Sequence, residues 1–425
     1  MTRAPAPAPG RVGIWLIGAR GSISTCLIHG LAGLRAGKLE PVGLCTERGA
    51  LRELPLAPLD ALVVGGHDVC TRGLHASALE LVRQGILKEN LVEAVRPEVA
   101  EVASRIRPGA LDALDRDAGG IDPSAQKLGA ASPRAQIEAL AADIQAFRST
   151  EKLDEVVVVN LASTEAVRPD QPEWSALDRF ESALDAGRPQ PASLLYACAA
   201  FSSGSSYVNF TPSLGASPSA MRELARHRRL PHCGSDGKTG ETLVKTVLAP
   251  MFTARNLRVL AWQGYNMLGN RDGEVLADGA HREAKLRNKD EALRSLLGEE
   301  GLHTRVGIDF VPSLEDWKTA WDFIHFEGFL GTRMSLQFTW SGSDSALAAP
   351  LVLDLSRLAE LAHRLGESGE MAHTASFFKA PIAGGTHDFR VQFQQLLEYA
   401  RERSAVPPDG SRRSGRSADP AHGPA

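Results

Sequence analysis

The sequence predicts an α/β fold in which helices cover both faces of a parallel sheet. Short aliphatic runs that end in glycine or polar turns alternate with segments of helical periodicity, which is typical of such sheets. The run 155–161 is β-branched and apolar on both faces, as a central parallel strand requires. With 425 residues and 43% hydrophobic side chains, the chain has enough apolar material for a large core.

Charge, hydropathy and cysteine content exclude several classes of protein. A net charge of −4 at pH 7 provides no positive surface for nucleic acid. No apolar run reaches the roughly 18 residues that cross a membrane. The five cysteines are scattered without a C-x-x-C pair, which argues against disulfides and zinc and favours a cytoplasmic location. Residues 1–10 and 402–425 are predicted to be disordered, and 1–10 lacks the apolar segment of a signal peptide.

The first predicted unit is a strand, a glycine turn and a helix at residues 11–34. Glycines allow the backbone to approach a pyrophosphate, and a helix N-terminus favours negative charge. This pattern is the opening of a Rossmann-type dinucleotide-binding unit. Ser24 occupies the third glycine position, so the segment alone fits cofactor binding and an ordinary turn equally well. The turn comprises Gly18, Ala19, Arg20, Gly21, Ser22 and Ile23.

Two further strands are predicted before residue 70, at 41–45 and 61–64. The second runs through two glycines into Asp68, which places this acid at the carboxyl end of a strand. Ligands of parallel sheets bind at that end of the strands, so Asp68 is a candidate contact to a cofactor.

A helix is predicted at 132–147, because Ser132 is a favourable N-cap and Pro133 suits the first helical position. Residues 100–125 mix Arg, Asp, Pro and Gly and are predicted to be loosely ordered.

The lysines are few and clustered. Only ten of the 47 basic residues are lysine, so the persisting lysines are candidates for tasks that arginine cannot perform, above all the release of a proton. Solvated surface lysines are the alternative explanation. Six lie between positions 238 and 379, namely Lys238, Lys245, Lys285, Lys289, Lys318 and Lys379.

A polar, glycine-broken segment at 234–242 leads into the next predicted helix. Thr239, Thr242 and the N–H groups of the helix start would suit a phosphate, although the spacing of an ATP-binding P-loop is absent. A strand is predicted at 257–263. The loop after it, 264–273, fits either a plain turn or a contact to a sugar phosphate or nicotinamide.

These motifs, in this order, resemble the inositol-3-phosphate synthase family, the NAD-dependent cyclases of glucose 6-phosphate. The resemblance covers about residues 11–400 and rests on several motifs with compatible spacing. The matching segments are 65–68, 162–165, 235–242, 265–273, 344–350 and 378–381, and Asn209 with Pro212 resembles a degraded Asn-Gly-Ser-Pro loop.

The resemblance implies NAD as the cofactor and a sugar phosphate as the substrate, and it assigns residues to three groups. The cofactor residues are the turn 18–23 with Asp68, Ser163, Thr164, Asn209, Asn270 and Asp272. The residues implied to hold the substrate phosphate are Thr239, Gly240, Glu241, Thr242 and Asn266. The implied catalytic residues are Lys285, Lys289, Lys318, Lys379, Asp236 and Asp344. No ligand cluster in the sequence indicates a metal.

The family's reaction explains the need for lysines. NAD⁺ takes a hydride from C5 of the open-chain sugar, C6 loses a proton and attacks the C1 aldehyde, and the hydride returns to C5. Each stage places negative charge on an oxygen, which preorganised cations stabilise. By resemblance, Lys285 and Lys379 move protons at the C5 oxygen. Lys289 and Lys318 stabilise the other oxygens and hold the phosphate, which itself removes the C6 proton.

The two aspartates and the lysine spacing complete this expectation. Asp236 and Asp344 would orient or neutralise the lysines, with helix capping as the alternative. Lys285 and Lys289 are four residues apart, so on a helix they would share one face and repel each other.

The implied architecture is an NAD-binding Rossmann-like domain at 11–242 plus 344–401, with an inserted α+β domain at 243–343. In the family, the inserted domain carries catalytic lysines and forms the contacts of a homotetramer. The alternating pattern at 334–340 supports a strand in this domain.

Departures from the family motifs leave alternatives open. Met267 and Arg271 stand where the family has His and Asn, and His67, in the place of an aromatic residue, is expected to pack near the adenine. A related cyclase that acts on another sugar phosphate, such as fructose 6-phosphate, is therefore an alternative. A catalytically silent NAD-binding regulator predicts loss of some of the four lysines, all of which are present. A simple dehydrogenase would release NADH.

Overall fold

The structure is a computed structural model that describes residues 7–111, 120–166, 168–269, 293–298 and 301–404. Within these residues, the strands are β1 (Val12–Ile17), β2 (Leu62–Asp68), β3 (Ile106–Pro108), β4 (Glu155–Asn160), β5 (Ser206–Asn209), β6 (Pro231–Gly234), β7 (Arg258–Leu268), β8 (His303–Phe310), β9 (Trp317–Glu327), β10 (Arg333–Ser343) and β11 (Gly369–Glu370). The helices are α1 (Ser22–Arg35), α2 (Leu74–Arg83), α3 (Glu89–Ala94), α4 (Arg96–Ser104), α5 (Pro123–Gly129), α6 (Pro133–Thr150), α7 (Leu177–Asp185), α8 (Ala192–Ser202), α9 (Ser219–Arg228), α10 (Gly240–Ala254), α11 (Asp344–Arg364) and α12 (Phe389–Arg403).

The first sheet has seven strands in the order β11-β6-β5-β4-β1-β2-β3, and every neighbouring pair is parallel. Strand β4 lies at its centre, and its side chains alternate between two hydrophobic cores. Val157 and Val159 pack in one core, whereas Val156 and Val158 pack in the other. The predicted α/β fold with a parallel sheet covered on both faces is confirmed.

The second sheet has the order β10-β9-β7-β8. Helix α10 covers one face, where Phe252 and Trp262 form a small core. On the opposite face, Tyr265, Trp321, Phe323 and His325 stack in a row with ring centroids 6.1–6.4 Å apart. The predicted strand at 334–340 is part of β10.

The chain returns to the first sheet after β10. Helix α11 packs against α1 and against β4 and β5. The predicted domain bounds, 11–242 plus 344–401 and 243–343, stay a prediction, and the bound at 242 falls inside α10. Helix α12 continues to Arg403, so only residues from 404 onward can belong to the predicted tail.

The strand predicted at 41–45 is wrong. This segment is a turn followed by a short 3₁₀ helix, Cys45–Glu47. The carboxylate of Asp354 on α11 accepts the backbone N–H of Cys45 at 2.8 Å, so a side chain satisfies the backbone where a strand partner would otherwise be needed.

Two other segments differ from prediction. Residues 264–268, predicted as a loop, continue β7 because β8 and β9 pair with them on both sides. Residues 100–125 are not uniformly loose. They contain the end of α4 and also β3, which pairs with β2. Residues 112–119 lie outside the described residues.

Candidate active site

The glycine turn lies between β1 and α1, as predicted. Gly18 has a φ of +82°, which favours glycine, and a Cβ there would lie 3.1 Å from the carbonyl oxygen of Leu161. The backbone N–H of Arg20 donates to Asp68 Oδ2 at 2.7 Å, and Asp68 Oδ1 accepts from Cys70 N at 2.8 Å. Asp68 therefore holds the turn against the end of β2.

The start of α1 is arranged for an anion. Its N-cap residue is Gly21, which has no side chain, so the N–H groups of the first helical turn are not capped by that residue and can face an anion. Ser24, the departure from the three-glycine pattern, is buried and its hydroxyl donates to the Gly18 carbonyl at 2.8 Å. The serine therefore supports the turn from inside. This cradle fits a dinucleotide pyrophosphate.

A cavity of about 550 Å³ opens beside this turn, at the carboxyl ends of the parallel strands. Segments that follow β1, β4, β5 and β6 line it, together with loops from the second sheet. The predicted residues in its wall are Arg20, Ser22, Ile23, Ser163, Thr164, Asp236, Thr239, Asp344 and Lys379.

Lys379 and Asp236 form one charged pair in the cavity wall. The Lys379 Nζ lies 2.8 Å from Asp236 Oδ1, and the Lys379 N–H donates to the Asp236 carbonyl at 2.7 Å. Asp236 has a φ of +61°, a conformation that two backbone hydrogen bonds on this residue help to hold. The side chains of both residues are largely buried, so their relative position is set before a ligand binds.

Lys318 and Asp344 form a second pair. The Lys318 Nζ lies 3.3 Å from Asp344 Oδ2, and the hydroxyl of Thr239 donates to Asp344 Oδ1 at 2.9 Å. Burial alone would lower the pKa of Lys318, but the carboxylates of Asp344 and Glu241 outweigh it and the pKa is raised. Lys318 therefore stays a cation at neutral pH.

Lys238 sits behind Lys379. Its Nζ donates to Gln392 Oε1 on α12 at 2.6 Å. Burial, with a smaller contribution from the charge of Lys379, lowers the pKa of Lys238 to about 7.

Several residues predicted to hold the substrate phosphate lie inside the protein. Glu241 and Thr242 are buried in the first turn of α10, and the Glu241 carboxylate lies 2.5 Å from Lys245 Nζ. Asn266 is buried in β7. Thr239, the N-cap of α10, lines the cavity, and Gly240 follows it.

Two residues predicted near the cofactor are also fully buried. Asn209 bonds through its side chain to Thr211 and Ser213 and so shapes the loop after β5. His67 accepts the indole N–H of Trp15 at 2.8 Å and packs against Tyr196, so it has no exposed surface for an adenine.

Four predicted site residues lie outside the described residues, namely Lys285, Lys289, Asn270 and Asp272.

The structure adds residues to the cavity that the sequence did not reveal. Arg72 and Glu80 form an ion pair at its rim. Asp316, just before β9, lines the cavity, and its carboxylate accepts the hydroxyls of Ser343 and Ser345 at 2.7 and 2.8 Å. Burial raises the pKa of Asp316. The sequence signal that could have found Asp316 is its position two residues before Lys318, which the resemblance assigns to the catalytic residues.

The described residues contain no group of three or more His, Cys, Asp or Glu side chains that could hold a metal ion. None of the helices described there has the length and apolar character needed to cross a membrane.

Fold and cavity together define a Rossmann-type dinucleotide-binding protein with two lysine–aspartate pairs in or beside the cavity at the carboxyl ends of the strands. A family model described as myo-inositol-1-phosphate synthase, of the NAD-binding type, matches residues 12–401. The chain belongs to this family, its cofactor is NAD, and it is an isomerase of the intramolecular lyase type.

Individual relatives agree with the family match. Inositol-3-phosphate synthase 1 of Bacteroides thetaiotaomicron is 32% identical over 91% of this chain and 92% of its own length. The human inositol-3-phosphate synthase 1 is 31% identical, and the match spans 75% of this chain but 57% of the human protein. The crystal structure of inositol-3-phosphate synthase from Caenorhabditis elegans has the same fold, with a TM-score of 0.83 at 20% identity over 94% of this chain and 87% of that one.

Proposed function

We propose that the chain converts D-glucose 6-phosphate to 1D-myo-inositol 3-phosphate by oxidation, enolisation, intramolecular aldol addition and reduction. The observation that carries the proposal is that the glycine turn, the Lys379–Asp236 pair and Asp344 line one cavity, with Lys318 paired to Asp344. The names of the relatives support this substrate. No observation on the described residues favours fructose 6-phosphate instead.

The cofactor residues have a common task, which is to place the nicotinamide against the sugar. The turn 18–23, with Asp68 behind it, would hold the pyrophosphate of the cofactor. Ser163 and Thr164 would border its nicotinamide ring. Bound NAD supplies a reversible hydride acceptor. Asn209 acts from behind by shaping the loop after β5.

Lys318 and Lys379 serve different steps. Lys318, a cation held by Asp344, stabilises negative charge on the carbonyl and enolate oxygens and attracts the phosphate. Lys379, held by Asp236, moves the proton at the C5 oxygen. Lys285 and Lys289 are proposed to complete the set, with Lys285 at the C5 oxygen and Lys289 at the other oxygens, and Asn270 and Asp272 to border the cofactor.

The start of α10 is the proposed phosphate site. Thr239 makes no side-chain cap hydrogen bond to this helix, because its hydroxyl is directed to Asp344. The first-turn N–H groups, from Gly240 onward, would then face the phosphate, with Thr242 in the same turn. Asn266 and Glu241 support the segment from the buried side.

We further propose that the chain works as a cytoplasmic homotetramer. The open face of the second sheet carries the aromatic row of Tyr265, Trp321, Phe323 and His325. Phe329 and Leu330, in the turn between β9 and β10, are also strongly exposed. Aromatic side chains on an open sheet face are typical of subunit contacts.

The deciding experiment is incubation of the purified protein with glucose 6-phosphate and NAD⁺, followed by NMR of the product. We expect inositol 3-phosphate and no net absorbance of reduced nicotinamide. A parallel incubation with fructose 6-phosphate tests the alternative substrate. Stoichiometric NADH in place of a carbocycle would contradict the proposal and indicate a simple dehydrogenase.

Lys379→Arg separates charge from proton exchange, since guanidinium keeps its proton at neutral pH. We expect kcat to fall by about 10²–10⁴-fold, the usual contribution of general acid–base catalysis. NAD affinity, measured by calorimetry, should change little. Lys38→Arg, on the exposed surface, is the matched control. Wild-type kcat in Lys379→Arg would remove the proton-transfer role.

A further inference from the structure

The rim of the cavity beside α2 carries an ion pair that the reaction described so far does not use. Arg72 lies in the loop between β2 and α2, and Glu80 lies in the second turn of α2. Both residues line the cavity, and the Arg72 guanidinium donates a hydrogen bond to Glu80 Oε2. Both side chains are partly exposed, so each charge can act on a ligand in the cavity.

Helix α2 is held against the glycine turn. The hydroxyl of Ser77, which is three residues before Glu80, donates to the carbonyl oxygen of Arg20 at 3.1 Å. The Arg20 guanidinium in turn donates to the carbonyl oxygen of Cys70, in the loop that leads to Arg72. Arg20 and Ser77 also line the cavity. The ion pair at the rim is therefore next to the turn proposed to hold the cofactor pyrophosphate.

This end of the cavity is where the adenosine half of a dinucleotide belongs. Strands β2 and β4 flank β1 on opposite sides. Ser163 and Thr164, proposed to border the nicotinamide ring, follow β4, so the other half of the cofactor extends toward the end of β2. In Rossmann-type folds the adenosine ribose lies there. Strand β2 ends at Asp68, and Arg72 follows four positions later.

The charges at the adenosine ribose distinguish NAD from NADP, which carries a phosphate on the 2′ oxygen. A carboxylate favours the ribose hydroxyls of NAD, and an arginine accommodates the 2′-phosphate of NADP. Asp68 accepts backbone N–H groups on both of its carboxylate oxygens, and it is not among the described residues that line the cavity. The charged side chains described in the wall at this end are Arg20, Arg72 and Glu80.

We propose that Glu80 makes the site select NAD over NADP, because it pairs with Arg72 and places a negative charge beside the ribose. Arg72 alone would attract a 2′-phosphate, since a guanidinium binds phosphate oxygens through two parallel hydrogen bonds. The Glu80 carboxylate occupies this guanidinium and repels the phosphate. The proposal rests on the proposed placement of the pyrophosphate at the glycine turn, and it does not depend on the identity of the sugar.

The test is the binding of NAD⁺ and NADP⁺ to Glu80→Gln, measured by calorimetry without a sugar. The glutamine keeps the size of the side chain and removes its charge. We expect the wild-type chain to bind NAD⁺ more tightly than NADP⁺. In Glu80→Gln, the affinity for NADP⁺ relative to NAD⁺ should rise about tenfold, because a like charge near the phosphate is removed. This rise should shrink at high salt.

Two results of this measurement would overturn the proposal. One is a wild-type chain that binds NADP⁺ as tightly as NAD⁺. The other is a folded Glu80→Gln protein in which the ratio of the two affinities is that of the wild type. NADP⁺ binding that is too weak for direct titration is measured by competition with NAD⁺.

Arg72→Gln identifies the group that binds the phosphate and keeps the test decisive if Glu80→Gln does not fold. Alone, it leaves Glu80 unpaired beside the ribose, so the relative affinity for NADP⁺ should fall below that of the wild type. In the double variant of Glu80→Gln and Arg72→Gln, the gain for NADP⁺ should disappear. An unchanged ratio in Arg72→Gln, or a gain that persists without Arg72, would refute the proposal.

Glu93→Gln is the matched control. Glu93 forms an exposed ion pair with Arg96 at 3.5 Å and is not among the described residues that line the cavity. Its ratio of affinities should equal that of the wild type, and a change as large as in Glu80→Gln would mean that net charge sets the ratio, against the proposal. A wild-type chain that binds NAD⁺ but forms no inositol 3-phosphate would end the proposed function and leave this result standing.

Discussion

Individual side chains in or beside the cavity are oriented by partners that are distant in the sequence. Lys379 reaches Asp236 across 143 positions, and Lys318 reaches Asp344 across 26. Because desolvation makes an unpaired charge costly, each aspartate restrains its lysine where the pair is largely buried. The cations are therefore held in place before any ligand binds, as electrostatic catalysis requires.

Lys238 behaves differently from these two lysines, because its close hydrogen-bond partner is the neutral amide of Gln392. Its pKa is lowered in the folded state to about 7, mainly by burial. Between that value and the ordinary lysine value, the unfolded chain binds more protons than the folded one. The free energy of unfolding therefore rises with pH through this window and falls as the pH drops toward 7.

Lys238→Met should remove this dependence while it keeps most of the side-chain volume. Relative to the variant, the wild-type protein should gain up to about 1.4 kcal/mol of stability for each pH unit between 7 and 10. Urea denaturation at several pH values measures the difference. Lys38→Met reports the effect of removing an exposed lysine. A difference between wild type and Lys238→Met that stays constant with pH would show that Lys238 titrates normally.

At the scale of single elements, two glycines inside regular structure have opposite surroundings. Gly30 lies within α1, and a Cβ there would have no atom within 4 Å. Gly264 lies within β7, and its Cβ would collide with the buried side chains of Lys245, Asp322 and Glu241. Gly30 therefore weakens α1 although no neighbouring atom excludes a larger side chain. Gly264 is required in β7 because charged side chains fill the space beside it.

Gly264→Ala should lower the free energy of unfolding by about 1–3 kcal/mol, because it overfills a packed site. Gly30→Ala should raise it by about 0.5–1 kcal/mol, since alanine restricts the unfolded chain and suits a helix. Denaturation curves followed by circular dichroism measure both. Equal effects of the two substitutions would mean that the space around Gly264 can adjust.

At the scale of the whole molecule, the two sheets have different surroundings. The first is covered on both faces, whereas the second leaves its aromatic face open. Phe329 in the turn at the edge of this face is 90% exposed, and Val42 in the turn after α1 is 89% exposed. Equal exposure makes them a matched pair for the proposed assembly.

Phe329→Asp should reduce the size of the assembly in sedimentation velocity experiments, because a charge at a subunit contact must be desolvated. Val42→Asp should leave the assembly as in the wild-type protein. If both variants sediment like the wild type, the turn between β9 and β10 is not a subunit contact.

Local sequence patterns were sufficient for the elements whose cause is local. The glycine turn, the β-branched run of β4 and the Ser132 cap of α6 each depend on residues that are neighbours in the chain, and all three are present. The Ser132 hydroxyl accepts the Ala135 N–H at 3.3 Å. The lysines that line or adjoin the cavity were also recognisable from their number and clustering.

Tertiary structure decided everything that depends on distant partners. Asp354 made a turn of the segment predicted as a strand at 41–45, and pairing with β9 extended β7 past residue 263. Asn209 and Glu241 were predicted to contact ligands, but both side chains are fully buried and pack behind the cavity wall. Periodicity and turn chemistry report only a residue's neighbours in the chain. Which charges meet in the interior is set by packing of the whole molecule, because an ion pair there forms only between groups that the fold brings together.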